Sequence, residues 1–328
     1  MNDGDKMTGG GRGYGGGSSR QGQKLSEEKI KQIDQIQQQE NRKIEDYINQ
    51  AKIQNRERIL QKLIKDKHGL LGIVYLDVGQ GDCSVIKFPN GEVMVVDCNV
   101  DDANIHIVDF LKRAGVEKID YLVITHPHYD HTSGIKDIAD NYKVKELWTS
   151  SYERRRSEES PESWEKYREY CKVVGKLKSE GTEIVYPKAK SDEFRKIGEI
   201  EIYCYGPSSS HEDVRDIHAR SMILKLKYDK FSALFSGDIN KEGWERVTKH
   251  YDIKSDVATA SHHGSETGYD DNAQEAISPK YTIISTGNKR LEEKTINHYK
   301  SKSKVYKTSD GSVGLLCGKE GECKIIEG

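Results

Sequence analysis

From residue 70 onward, short apolar blocks alternate with polar breaks. LGIVYLDV (71–78), CSVIKF (83–88) and EVMVVDC (92–98) predict strands. Pro89-Asn90-Gly91 predicts a hairpin turn between the last two. Ala103 to Ala114 repeats its apolar residues at helical spacing, and Ile135 to Tyr142 predicts a short helix. YLVIT (121–125) predicts a buried strand, and KELWTS (145–150) another. A charged stretch, 151–169, leads into a helix that reaches about Ser179. Further strands are predicted at 183–187, 199–206, 221–228, 231–237, 257–261, 281–286, 304–308 and 312–317. Strands predominate and helices fall between them. That pattern predicts an α/β fold with two β-sheets packed face to face between helices.

Before residue 70 the pattern differs. Residues 25–68 lack Pro and Gly and are rich in Glu, Lys, Gln, Arg and Ile. Ser26 suits an N-cap, with Glu27 and Glu28 in the first turn. Ile30, Ile33, Ile36, Ile44, Tyr47 and Ile48 form a thin stripe, so one long helix is expected. The stripe is too narrow for a core helix. A stalk or weak coiled coil and a solvated helix leaning on the domain both fit it. Gly69 is a suitable stop. Residues 1–24 are Gly- and Ser-rich and predict a disordered tail. Arg12, Tyr14 and Arg20 among glycines fit an RNA-binding tail or a plain linker. The expected organisation is a tail (1–24), a long helix (25–69) and a main domain (70–328).

Hydrophobic residues make up 34% of the 328 and charged residues 32%, which suits a chain only part of which enters a core. The formal net charge of -2 gives no global attraction to nucleic acid and leaves only local basic patches. The six cysteines include no C-x-x-C pair and are expected as buried free thiols in a reducing compartment. The N-terminus has no apolar h-region and no run reaches the length of a membrane span. A soluble cytoplasmic protein without membrane contact is expected.

The chemistry concentrates where the 121–125 strand ends. His126-Pro127-His128-Tyr129-Asp130-His131 holds three imidazoles and a carboxylate in six residues. Two imidazoles two positions apart suit one zinc-like ion, and Asp130 with His131 suits a second. Asp97, Asp238 and the pair His262-His263 also follow apolar strands. Each aspartate alone reads equally as a turn residue. Together with the histidines, a shared metal centre satisfies them all.

These segments resemble the metallo-β-lactamase-fold hydrolases, whose signature is H-x-H-x-D-H. They resemble most the hydrolase domain of ComEC/Rec2-type competence proteins. The resemblance rests on LDVGQGDCSVIKFPNGEVMVVDCN (76–99), THPHYDHTSGI (125–135), ARSMILKLKYDKFSALFSGDI (219–239) and ASHHGSETG (260–268), and spans about residues 70–325. It implies an αββα sandwich of two mixed sheets with an N-terminal helical extension. It implies two divalent ions, zinc first and manganese as the alternative. His126 and His128 would hold the first, Asp130 and His131 the second, with Asp238 bridging. His263 would complete the second site, His262 would assist substrate or leaving group, and Asp97 would orient a ligand imidazole. No counterpart of the competence proteins' transmembrane channel is expected, so DNA uptake is not carried over.

Two departures stand out. Many relatives carry a further histidine ligand before the Gly-Asp element. Here the candidates are His211 and His218, with His218 expected at the surface. The late Gly-His-Pro element is missing, and only His298 lies in that region. Two ions about 3.5–4 Å apart would activate a shared water, which suits phosphodiester hydrolysis. A phosphodiesterase or nuclease is therefore expected. Hydrolysis of a carboxylic ester, lactone or thioester is the alternative, as is a non-enzymatic protein acting through its N-terminal helix by self-association or partner binding. Asp82 and Ser221 lie near motifs without an assigned duty. Gly79-Gln80-Gly81 reads as an anion-facing loop or a tight turn. Arg154-Arg155-Arg156 reads as a phosphate contact or part of a self-paired solvated helix.

Overall fold

The computed structural model describes residues 29, 31, 32, 35, 56–66, 69–151, 153–206, 216–287 and 292–327. The chain divides into two units, residues 1–51 and 52–328. In the first, residues 29, 31, 32 and 35 are helical and exposed. The expected tail at 1–24 lies outside the described residues.

In the second unit, residues 56–65 form α1. The first sheet then takes β1 (Leu71–Tyr75), β2 (Ser84–Lys87), β3 (Val93–Val96), β4 (Ile119–Val123), β5 (Val144–Trp148) and β6 (Glu183–Val185). The second sheet takes β7 (Arg195–Ile197), β8 (Ile200–Cys204), β9 (Leu224–Tyr228), β10 (Phe231–Phe235), β11 (Val257–Thr259), β12 (Tyr281–Ile284) and β13 (Lys304–Lys307). The chain returns to the first sheet with β14 (Val313–Cys317) and β15 (Cys323–Glu327). The strand orders are β15-β14-β1-β2-β3-β4-β5-β6 and β13-β12-β11-β10-β9-β8-β7. Each sheet is antiparallel on one side and parallel on the other, changing over at β3 and β10. The helices are α2 (Ile107–Arg113), α3 (Tyr129–Thr132), α4 (Ile135–Asn141), α5 (Pro161–Ser179), α6 (Lys241–His250), α7 (Asp271–Ile277) and α8 (Glu293–Lys302).

The αββα sandwich is as expected, and its strands explain why. Leu71, Ile73 and Tyr75 of β1 meet Leu224, Leu226 and Phe235 between the sheets. Val74 on the opposite face joins Leu60 and Ile64 of α1 and Phe110 of α2. Strands covered on both faces lose polar alternation and read as continuous apolar runs. Tyr75 and Phe235 stack across the sandwich with centroids 5.8 Å apart. On the outside of the second sheet, Leu234 and Ala258 pack on Trp244, Val247 and Ala273 of α6 and α7.

Two glycines seat α1. A Cβ on Gly72 would lie 2.3 Å from Leu63, and one on Gly314 would lie 2.4 Å from Leu60. The strands are bare where α1 lays its leucines down. The free-thiol expectation needs correcting at the C-terminus. Cys317 and Cys323 face each other in the β14–β15 register and are joined as a disulfide, while Cys171 is exposed. Cys83, Cys98 and Cys204 are buried free thiols. A six-residue spacing becomes a cross-strand pair only once the hairpin is known. No helix among the described residues is long and apolar enough to cross a membrane.

Candidate metal centre

Strand direction brings the site together. β3 and β4 run parallel, so Asp97 and the 126–131 segment leave the first sheet at one end. β10 and β11 also run parallel, so Asp238 and His262-His263 leave the second sheet together. Met222 N donates to Thr125 O at 2.9 Å and joins the two ends. Asp97, His262 and His263 all have positive φ, near 55°, 52° and 55°. Left-handed backbone at three non-glycine residues is costly, and such strain gathers at functional sites.

Two groups of donors result. One donor atom from each of His126, His128, His218 and Asp238 lies within 4.8 Å of the others, and Asp82, His131, Asp238 and His263 form a second such group. Asp238 belongs to both. Its Oδ2 is 3.7 Å from His126 Nε2, and its Oδ1 is 3.2 Å from His131 Nε2 and 3.6 Å from His263 Nε2. Asp130 approaches from the open side, with Oδ2 3.3 Å from His263 Nε2 and a side chain 38% exposed. It stands outside the second four-residue group.

Hydrogen bonds aim the imidazoles. His131 Nδ1 donates to Asp97 Oδ2 at 2.9 Å, and His263 Nδ1 to Ser285 O at 3.1 Å. Thr125 Oγ1 donates to Asp97 Oδ2 at 2.8 Å and accepts from His126 Nδ1 at 3.2 Å. Those bonds fix the tautomers and turn three Nε2 atoms inward. His128 instead presents Nδ1, 3.0 Å from His126 Nε2. His131 Nε2, His263 Nε2 and Asp238 Oδ1 are buried and find no hydrogen-bond partner within the protein. Orphaned polar atoms are costly singly. Three that converge fit a cation.

The electrostatics agree. Burial pushes His126 well below its ordinary pKa and His128 down to about 4, leaving neutral imidazoles, the form that binds metals. Burial opposes charge on His131 and His263 too. Asp238 and Asp97 nevertheless hold His131 well above its usual range. Asp238, Asp130 and Asp82 raise His263 to about 9. Asp82 is raised by burial and by Asp238 and Asp97, with His263 and His131 opposing. The carboxylates that increase proton affinity here also favour any cation that replaces the protons.

The structure brings together His126, His128, His131, Asp238 and His263, with Asp97 behind them and Asp130 at the rim. His262 sits on the first group's side, its Nε2 3.7 Å from Asp238 Oδ2 and its ring stacked on His218 at 4.5 Å. His218 corrects the surface expectation. A short turn carries it to 4.7 Å from the His128 ring, and its Nδ1 donates to Asp216 Oδ1 at 3.2 Å. His211 lies outside the described residues. His298 packs on Tyr269 at 5.1 Å and belongs to neither donor group.

Sequence reasoning left Asp82 unassigned. It is delivered by Gly79-Gln80-Gly81, which is a tight turn. Asn99 Nδ2 donates to Val78 O and Gln80 O at 2.9 Å each, and a Cβ on Gly81 would lie 2.3 Å from Asp130 O. Ser221 also gains a duty, accepting the Asp238 N–H at 3.1 Å. Arg154 is paired with Glu159 within its own insertion, as the self-paired reading expects, but is buried and not solvated. It donates to Glu159 Oε1 at 2.7 Å, Ser163 Oγ at 2.9 Å and Pro127 O at 3.1 Å.

The model of the metallo-beta-lactamase superfamily matches residues 76–288. The chain is 25% identical over 182 residues to ComE operon protein 3 of Bacillus subtilis (strain 168), covering 55% of this chain and 22% of that protein. It is 24% identical over 213 residues to competence protein ComA of Neisseria gonorrhoeae, covering 64% and 26% respectively. The chain thus matches about a quarter of the length of these relatives. Among solved structures, a novel metallo hydrolase from Ignicoccus hospitalis aligns with TM-score 0.46 and 14% identity, over 78% of this chain and 99% of that one.

Proposed function

The chain belongs to the metallo-beta-lactamase superfamily, and from that premise we propose that it is a metal-dependent hydrolase of phosphodiester bonds, with nucleic acid among its substrates. The observation that carries the reading is the convergence of orphaned His131 Nε2, His263 Nε2 and Asp238 Oδ1. We assign His126, His128 and His218 to one divalent ion and Asp82, His131 and His263 to another, with Asp238 facing both. The imidazole-rich set suits zinc first and manganese as the alternative.

Bound ions would polarise a phosphoryl or carbonyl oxygen and lower the pKa of a water toward neutrality. The protein's own groups do the rest. Asp97 and Thr125 hold two imidazoles in orientation. Asp130 lies on the open side; burial opposes its charge, but His263 and His131 hold its carboxyl well below the usual range, so it orients the attacking water by accepting a hydrogen bond from it. His262, at the first group's edge, donates a hydrogen bond to the leaving oxygen. A thiol nucleophile is disfavoured, because burial pushes Cys83 and Cys98 well above the usual thiol range. Two donor groups sharing one carboxylate support displacement at phosphorus, where attacking and leaving oxygens each need a positive partner.

The test is a substrate panel with metal-loaded protein. Cleavage of bis(p-nitrophenyl) phosphate and single-stranded DNA is expected. Turnover of carboxylic esters, lactones or thioesters, with both phosphodiesters left intact, would contradict the proposal.

A further inference from the structure

The second sheet carries another feature at its opposite end. Ile200, Ile202 and Cys204 of β8 and Leu224 and Leu226 of β9 enter the core between the sheets. Alternation therefore turns Tyr203, Lys225 and Lys227 outward. With Tyr205 and the segment after α6 they line a cavity of about 590 Å³. Ser232, Asp256 and Lys280 place it where β10, β11 and β12 begin. The metal-site residues follow the ends where β10 and β11 finish.

Lys225 is the unusual member. Its side chain is only 7% exposed, yet its nearest carboxylate oxygen is Asp252 Oδ2 at 3.7 Å, on a side chain 84% exposed. Its ammonium donates to Asp252 O at 3.0 Å. An ammonium has three donors to satisfy, and burial lowers its pKa against the opposing pull of Asp252. Beside it stands a stack of three tyrosine rings, with buried Tyr205 in the middle and partly exposed Tyr203 at one end. Tyr203 and Tyr205 stack at 6.1 Å and 27°, and Tyr205 and Tyr251 at 5.0 Å and 23°. Five lysines line the cavity against three aspartates, and one of these, Asp256, is bound by Lys280 at 2.9 Å.

We propose that this cavity binds a small phosphorylated aromatic ligand of the mononucleotide class. The phosphate would lie on Lys225 and Lys254, and the ring on the outer face of Tyr203. Pockets of ~300–1,000 Å³ hold ligands of that size, and every nucleobase offers a face to an aromatic ring. The site is independent of the metal centre and does not rest on the phosphodiesterase reading.

Isothermal titration of the full chain with adenosine 5′-monophosphate, adenosine and inorganic phosphate tests it. One nucleotide should bind per chain, more tightly than phosphate or adenosine alone. Lys225→Met and Tyr203→Leu should each weaken it by at least about tenfold, while stripping divalent ions with EDTA leaves it unchanged. Absent nucleotide binding, unchanged affinity in Lys225→Met, or loss of binding on EDTA treatment would each overturn the proposal. If Lys225→Met fails to fold, Lys225→Arg should retain binding that Tyr203→Leu loses, and equal affinity in those two would overturn it as well.

Discussion

Arg154 Nη1 donates to the carbonyl of Pro127 at 3.1 Å, gripping from outside the residue that separates His126 from His128. Its guanidinium also binds Glu159 and Ser163 and lies 5.5 Å from the Tyr167 ring centroid. The insertion between β5 and β6 thereby braces the 126–131 loop. Arg154→Met should cost about 2–4 kcal/mol of stability, since a buried charge-assisted network loses its centre. Arg154→Lys should not restore it, because an ammonium lacks the planar fork. Denaturant unfolding and metal retention of the variants check both expectations.

The same network predicts acid sensitivity. Burial acts to raise the Glu159 carboxyl, but Arg154 and Ser163 outweigh it and hold the group below its usual range. A carboxyl lowered on folding adds stability that is present above its unfolded pKa, near ~4.3, and is lost as pH falls through the folded value. Unfolding midpoints measured below about pH 5 should therefore fall more steeply for the native chain than for Glu159→Gln. Equal slopes would show that Glu159 is not coupled to folding.

α1 should behave as part of the main domain. Leu63→Ala should cost about 2–4 kcal/mol. Gly72→Ala should destabilise by forcing Leu63 aside, since the new Cβ would lie 2.3 Å from its Cδ2. The double variant should be more stable than the sum of the two losses predicts. Strict additivity in thermal melts would mean that α1 does not rest on Gly72.

His218 and Asp82 separate the two donor groups. His218→Ala should weaken the first ion at least about tenfold and leave the second, while Asp82→Asn should do the reverse. Metal titrations on folded variants check this. A native titration curve for His218→Ala would return that residue to the surface role its sequence suggested.

The contrast between those residues and the 126–131 cluster shows what was legible in the sequence. His126, His128, Asp130 and His131 are contiguous, so their chemistry needs no fold to be seen. Asp97, Asp238 and His263 close apolar strands, and that periodicity marks them. Asp82 reaches the site only because Gly81 lets the Asp130 carbonyl approach, and His218 only because Asp216 anchors its turn, through a bond from Asn240 at 2.7 Å. Both depend on tertiary contacts that leave no local pattern. The sandwich was legible from its doubly covered strands. β7 was not, because Arg195–Ile197 is three residues long and two of them are charged, and neither was β15, although the other two edge strands, β6 and β13, were.

Metal content per chain decides whether the two donor groups hold ions. Elemental analysis of the native protein should find two divalent ions, and Asp238→Asn, folded by circular dichroism, should lose both, because Asp238 is the carboxylate common to the two groups. Fewer than one ion in the folded native chain, or undiminished content in Asp238→Asn, would rule out a centre built on Asp238.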